Sequence, residues 1–112
     1  MKERIIHLCP KQDWEKAIDH GEYQTASLQL EGFIHCSHPD QVLGVANRYY
    51  QGIQDVVLLW IDPKKVKTEV RWEESDGDIF PHIYGGLNLD AVLAVCEFSA
   101  DKDGVYRNLP KV

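Results

Sequence analysis

Side chains that exchange protons near neutral pH recur in this chain, with five histidines in 112 residues. Three stand beside strand-like segments or Gly/Pro turns. His7 closes the apolar run Arg4-Ile5-Ile6-His7-Leu8, His35 lies within Phe33-Ile34-His35-Cys36-Ser37, and His82 precedes Ile83-Tyr84-Gly85. Strand alternation puts His35 and Ser37 on one face and Cys36 on the other. Polar groups turned inward on an apolar strand need partners, or each costs on the order of 1–3 kcal/mol. A pocket where His7, His35, His82 and Ser37 converge on a ligand would supply those partners, and imidazoles there could act as general acids or bases. A single strand histidine is more simply a satisfied core residue; the recurrence at such positions is what points to a site. His20 reads as a cation at a helix C-terminus, and His38 as the start of a second helix.

Other residue types are weighed the same way. Phe80 and Tyr84 flank Pro81-His82 in a turn-rich stretch and could form a stacking wall for a nucleobase or nicotinamide ring. Glu73 is a candidate carboxylate at a strand end, with a solvated surface glutamate as the plainer alternative. The run Glu73, Glu74, Asp76, Asp78 reads as a solvated face without EF-hand spacing. His35, Cys36 and His38 are close in sequence, but a strand sends the first two to opposite faces and no CxxC or HxxxH spacing occurs, so no metal is expected. The same geometry denies Cys36 an activating base and assigns it to the core.

These residues need elements to position them. Arg4–Leu8 reads as a first strand and Lys11–His20 as a helix, with Pro10 in its first turn, Trp14, Ala17 and Ile18 on its inner face and Gly21 as its C-cap. Residues 22–32 read as a connection docking Tyr23 and Leu28, and 33–37 as a second strand. A second helix opens at His38-Pro39-Asp40, carries Val42, Leu43, Ala46, Tyr49 and Tyr50 at helical spacing, and ends at Gly52. Asp55–Ile61 is continuously apolar and reads as a central strand. Thr68–Glu73 alternates as a half-buried strand, Glu74–Asp78 reads as an acidic loop, Leu89–Phe98 as a further strand, and Val105-Tyr106 as a short edge strand. The sum is one α+β domain, 1–112, with a split, mostly antiparallel sheet and two N-terminal helices. No GxGxxG or Walker A loop is present, which removes the Rossmann and P-loop readings.

The formal charge of −6 and a pI near 5.2 disfavour a general nucleic-acid or anionic-membrane partner. The cluster Lys64, Lys65, Lys67, Arg71 reads as a solvated surface. Three cysteines, Cys9, Cys36 and Cys96, form no disulfide framework, and the start Met1-Lys2-Glu3-Arg4 has no signal-peptide character. The longest apolar run, Val56–Ile61, is too short to span a bilayer. A reduced, cytoplasmic protein is expected.

Taken together, Ile6-His7-Leu8, Trp14 and Ala17, Gly32-Phe33-Ile34-His35-Cys36-Ser37, Gln41, Ala46-Asn47, Trp72-Glu73 and Phe80-Pro81-His82-Ile83-Tyr84-Gly85 resemble the domain of unknown function 952 family of small bacterial proteins over nearly the whole chain. That family in turn resembles the ADP-ribosyltransferase fold, in the branch of the tRNA 2′-phosphotransferases. The resemblance implies an NAD-dependent ADP-ribosyl- or phospho-transferase-like enzyme, with NAD as substrate in a cleft of the split sheet. It implies His7, His35 and His82 as catalytic residues, with Ser37, Tyr84 and Phe80 binding the nucleotide. The chain departs from the pattern in having no clear counterpart of the glutamate many such transferases use, Glu73 being the position offered for it. The arginine-rich RNA-binding surface of the phosphotransferases is also not evident. A non-catalytic module that keeps the pocket for a nucleotide or small anionic metabolite, and a cofactor-free histidine hydrolase, stay open beside it.

Overall fold

A computed structural model describes residues 4–110, so Met1 to Glu3, on which the leader reading partly rests, lie outside the described residues. The fold is α+β, and every strand pair is antiparallel. Its first sheet has the order β1-β4-β8, formed by β1 (Ile5–Pro10), β4 (Val56–Ile61) and β8 (Val92–Phe98). The apolar run of β4 is central, as its sequence requires, because both faces are covered. Ile5, Cys9, Leu59 and Ile61 enter one core, while Ile6, Leu8, Leu58 and Phe98 enter the other. Alternation places His7 on the face of Ile5 and Cys9, inside the first of these cores.

Helix α1 (Lys11–His20) follows β1 directly, with Pro10 as its extended N-cap rather than in its first turn. Gly21 ends it at φ 89°, a left-handed conformation in which its N–H donates to the Ala17 carbonyl. Ile18, expected inside, is exposed, because the helix docks on the narrow stripe of Ala17 and Trp14 alone.

The stretch read as a plain connection contains two elements. Strand β2 (Glu22–Tyr23) pairs with β7 (Leu87–Asn88), and α2 (Ala26–Glu31) is capped by the Thr25 side chain, which accepts from the Leu28 N–H at 3.2 Å. Of its two leucines Leu28 packs on the core and Leu30 is exposed, so no helical stripe marks α2 in the sequence. The fold thus has three helices before β4, not two; the third, α3 (Val42–Tyr49), starts after the predicted His38-Pro39-Asp40 opening. Tyr49, assigned to its buried face, is exposed.

The second sheet has the order β3-β6-β5, formed by β3 (Ile34–His35), β6 (Asp78–Tyr84) and β5 (Glu69–Ser75). The expected acidic loop is a tight hairpin turn at Asp76-Gly77, both with positive φ, 52° and 82°. The expected turn-rich segment around Pro81 is a strand, and the middle one of its sheet. Pro81 is tolerated there because the regular pairing of β3 with β6 ends at His35 opposite His82, and beyond it Pro81 only accepts, its carbonyl bonding the Cys36 N–H at 3.1 Å. The strand read over 33–37 is shorter for a related reason. The Cys36 N–H still donates to the Pro81 carbonyl of β6 at 3.1 Å, and then the chain leaves β6, with Ser37 exchanging two 2.8 Å backbone hydrogen bonds with Ile6 of β1. Cys36 is therefore the point where one strand passes from one sheet to the other.

The last strand starts at Val92, after a 3-10 turn at Leu89–Ala91. Val105-Tyr106 is not an edge strand. The Asn47 side chain takes the place of a strand partner, bonding the Tyr106 backbone at 2.9 and 2.7 Å. Among the described residues no helix is long and apolar enough to cross a membrane.

Candidate functional site

Where the two sheets diverge around Cys36, a cleft of about 550 Å³ opens, closed by α1, α2 and α3. Its wall includes His7, His35, Ser37, Phe80 and His82, so five of the six site residues read from the sequence come together there. Tyr84, the sixth, lies off the wall with its hydroxyl on Glu73.

The register of the second sheet sets the polar arrangement. His35 is directly opposite His82, and Arg71 faces His82 from the other side. Alternation then puts Phe80, His82 and Tyr84 of β6 on one face with Glu69, Arg71 and Glu73 of β5, while Ile34, Ile83 and Pro81 turn to the core. Phe33 lies on the same polar face, stacked on His82 at 4.1 Å between ring centres and edge-on to His35 at 4.7 Å.

His82 is the centre of this arrangement. Its side chain is 5% exposed, and Nδ1 lies 2.9 Å from the carboxylate of Glu73, whose side chain is 35% exposed. A carboxylate only accepts, so His82 donates from Nδ1. In the neutral ring Nε2 is then the unprotonated nitrogen, and it takes part in none of the hydrogen bonds found among the described residues. Tyr84 donates to the same Glu73 oxygen at 2.5 Å. These two bonds, Tyr84 first, hold the Glu73 carboxyl below its ordinary range, and the Tyr84 phenol is pushed up in return. The Arg71 guanidinium lies over the Tyr84 ring, 4.3 Å from its centre.

His7 is fixed differently. Its Nδ1 donates to the His35 carbonyl at 2.5 Å, which leaves Nε2 to accept from the Tyr23 hydroxyl at 2.8 Å. Burial drives its pKa down to about 4, so the ring is neutral at physiological pH with both nitrogens engaged. Burial pushes the Tyr23 phenol well above its ordinary value. The Cys9 thiol is raised to about 11 and the Cys36 thiol higher still, again by burial, so neither is a thiolate at neutral pH.

His35, in contrast, is exposed, its Nε2 3.0 Å from Glu31 of α2 at the rim of the cleft. Ser37 is 6% exposed, and its hydroxyl, like His82 Nε2, joins no hydrogen bond found among the described residues.

The sequence reads Tyr23 only as a docked residue, and gives no site role to Phe33, Asp13 or the pairing of Glu73 with His82. A usable signal existed for the last. Asp-Gly between two strands is a hairpin signature, and a two-residue turn at Asp76-Gly77 fixes Glu73 opposite Phe80, one diagonal step from His82.

Residues 8–95 match the profile of a family described as protein of unknown function (DUF952). The crystal structure of protein CC0527 from Caulobacter crescentus is similar to this chain, with a TM-score of 0.85 and 28% sequence identity over 93% of each chain. The solution NMR structure of CC0527 matches with a TM-score of 0.81 and 28% identity, over 93% of this chain and 91% of that one. No curated protein matches the chain.

Proposed function

The chain belongs to the DUF952 family, whose description assigns no activity, and from its own cleft we propose that it acts on a bound small molecule through His82 as general acid–base. NAD, the nucleotide suggested by the sequence resemblance, is the substrate we propose. One observation carries the acid–base reading. A buried imidazole on the cleft wall is oriented by a carboxylate at Nδ1 while its Nε2 has no protein partner among the described residues. A carboxylate at one ring nitrogen fixes the tautomer and leaves the other free to take a proton, the arrangement a general base needs.

The wall also supports a reaction that develops positive charge. Asp13, Glu31 and Asp76 line the cleft, and no lysine or arginine does among the described residues. The nicotinamide ring of NAD is cationic, and its ribose carbon becomes so as the glycosidic bond breaks with both electrons passing to the ring nitrogen. Fixed carboxylates favour both states. The attacking nucleophile would lose its proton to His82 Nε2, Ser37 would hydrogen-bond the ribose, and Phe80 would pack on the ring. The pyrophosphate meets no cation on the wall, so only the nicotinamide–ribose end suits the cleft.

A second reading has its own observation. His7, implied by the resemblance as catalytic, is neutral and engaged at both nitrogens, which suits a binding module that keeps the pocket without turnover.

The test is thermal unfolding with NAD, ADP-ribose and nicotinamide, paired with chromatography for released nicotinamide, on the natural chain and His82→Asn. A ligand at ~100 times its Kd stabilises by about 2.7 kcal/mol, a shift of several degrees. The proposal expects release that His82→Asn abolishes while NAD still stabilises the variant. Stabilisation without release would favour the binding module. Neither effect would overturn NAD as the substrate.

A further inference from the structure

The acidic residues of the cleft come from three separate elements: Asp13 from the first turn of α1, Glu31 from the last of α2, and Asp76 from the β5–β6 turn. Glu31 is matched by His35 at 3.0 Å, and Asp76 by the Tyr49 hydroxyl at 2.8 Å and Arg48 at 3.8 Å. Asp13 is in no ion pair among the described residues.

Aromatic rings share the same space, with Tyr23, Tyr49, Tyr50 and Phe80 on the wall. Ring faces carry partial negative charge and attract cations, most strongly where water is excluded. Carboxylates and ring faces therefore act in one direction. Two further groups point to a ligand independently of charge. Ser37 and His82 are 6% and 4% exposed, yet the Ser37 hydroxyl and His82 Nε2 are unpartnered among the described residues on the cleft wall. Both can accept, and neither atom is sealed from solvent although its residue is largely buried, so each is open to a ligand's donor.

We infer that the cleft itself takes a phosphate-free, cationic organic group, whether a whole ligand or the end of a larger one, with its charge among the carboxylates and ring faces and a hydroxyl or N–H donor directed at Ser37 and His82. The inference rests on the cleft being the binding site, but not on NAD or on turnover. A phosphate would meet three carboxylates of which only Asp76 has an arginine beside it, Arg48 at 3.8 Å, and no lysine or arginine lines the wall itself among the described residues.

The test pairs each cation with a neutral molecule of the same shape: choline with 3,3-dimethyl-1-butanol, and 1-methylnicotinamide with nicotinamide. ADP-ribose is the phosphate-bearing comparison. Binding is read from amide chemical shifts of the cleft residues during titration to millimolar ligand. The expected result is about tenfold tighter binding of the cation in at least one pair, equivalent to about 1.4 kcal/mol. Added salt should weaken the cation and leave its neutral counterpart unchanged. Asp13→Asn, at an exposed position, should weaken the cation by several-fold only.

Equal affinity within both pairs, tighter binding of ADP-ribose than of either cation, or no cleft response to any cation would each overturn the inference. Its failure is separable from that of the acid–base reading. His82-dependent nicotinamide release with no preference for cations would remove only the charge rule. Cation binding without release would remove only the chemistry.

Discussion

His82 and Glu73 stand one diagonal step apart on neighbouring strands, and the buried imidazole donates to the half-exposed carboxylate at 2.9 Å. The pair couples the two regions a site must join. Glu73 reaches solvent and is steadied by Tyr84, while His82 carries the orientation into the cleft through its remaining nitrogen. Phe33 stacked on the ring removes the freedom that one hydrogen bond would leave.

Glu73→Gln should therefore destabilise the fold in a pH-dependent way. The Glu73 carboxyl is held below its ordinary range by the bonds from Tyr84 and His82. A depressed acid contributes stability that is full above its unfolded pKa and is lost as pH falls through its folded one. Urea unfolding should show the variant less stable at pH ~7, with the gap to the natural protein closing as the pH is lowered through the carboxylate range. A gap that stayed constant with pH would mean the charge of Glu73 contributes nothing to the pair.

The His7 imidazole is uncharged where Glu73 is charged, yet folding favours the deprotonated form of both, so the pH dependence has the same sign. Its folded pKa is lowered from 6.5 to about 4, so below pH 6.5 the unfolded chain binds a proton that the folded chain refuses. Stability from this residue is full above pH 6.5 and is lost as the pH falls toward 4, by about 3 kcal/mol in all. His7→Gln should lower stability at pH 7 and flatten the curve between those values. If the natural protein and the variant lose stability in parallel over that window, His7 is not the neutral, buried ring described here.

Tyr23→Phe isolates the other end of the same chain of bonds. The ring keeps its packing against Trp14 and His7, but His7 Nε2 loses its donor. An unsatisfied buried acceptor costs about 1–3 kcal/mol, which lowers the melting temperature by several degrees. An unchanged melting temperature would show that the Tyr23 hydroxyl does not hold His7.

What the sequence could reveal about this architecture follows from how local each signal is. The apolar run of β4 and the Gly21 cap of α1 are set by neighbours in the chain, and both are legible. The histidines of the cleft are legible as residue types beside turns. Their roles are not, because those depend on long-range register. His7 is neutralised by burial, which outweighs the raising effect of its bond to the His35 carbonyl, and His82 becomes directional only once the Asp76-Gly77 turn aligns Glu73. Helix α2 escapes notice since one docked leucine leaves no periodic stripe. Pro81 misleads for a related reason, since its tolerance in a central strand depends on where β3 ends.

The C-terminal segment offers the sharpest test of that dependence on distant partners. Val105-Tyr106 looks like a strand in sequence, yet Val105 bonds only locally, to Asp101 and Asp103, and the Tyr106 backbone is held by one side chain, Asn47 of α3, which accepts from the Tyr106 N–H at 2.7 Å and donates to its carbonyl at 2.9 Å. The Tyr106 ring is buried, stacked on Phe98 at 4.6 Å, with its hydroxyl on the Tyr50 carbonyl at 3.0 Å. Asn47→Ala removes both backbone bonds and leaves the ring contacts. An orphaned backbone amide beside a buried ring costs about 1–3 kcal/mol, and little of that is recovered unless water reaches the site. Asn47→Ala should therefore lower the melting temperature by several degrees and speed amide hydrogen exchange at Tyr106 selectively, while the β1-β4-β8 sheet keeps its protection. Selective exchange is the informative part, since a general loss of stability would raise exchange everywhere. If Tyr106 stays protected in the variant, ring burial alone anchors the segment and Asn47 is dispensable.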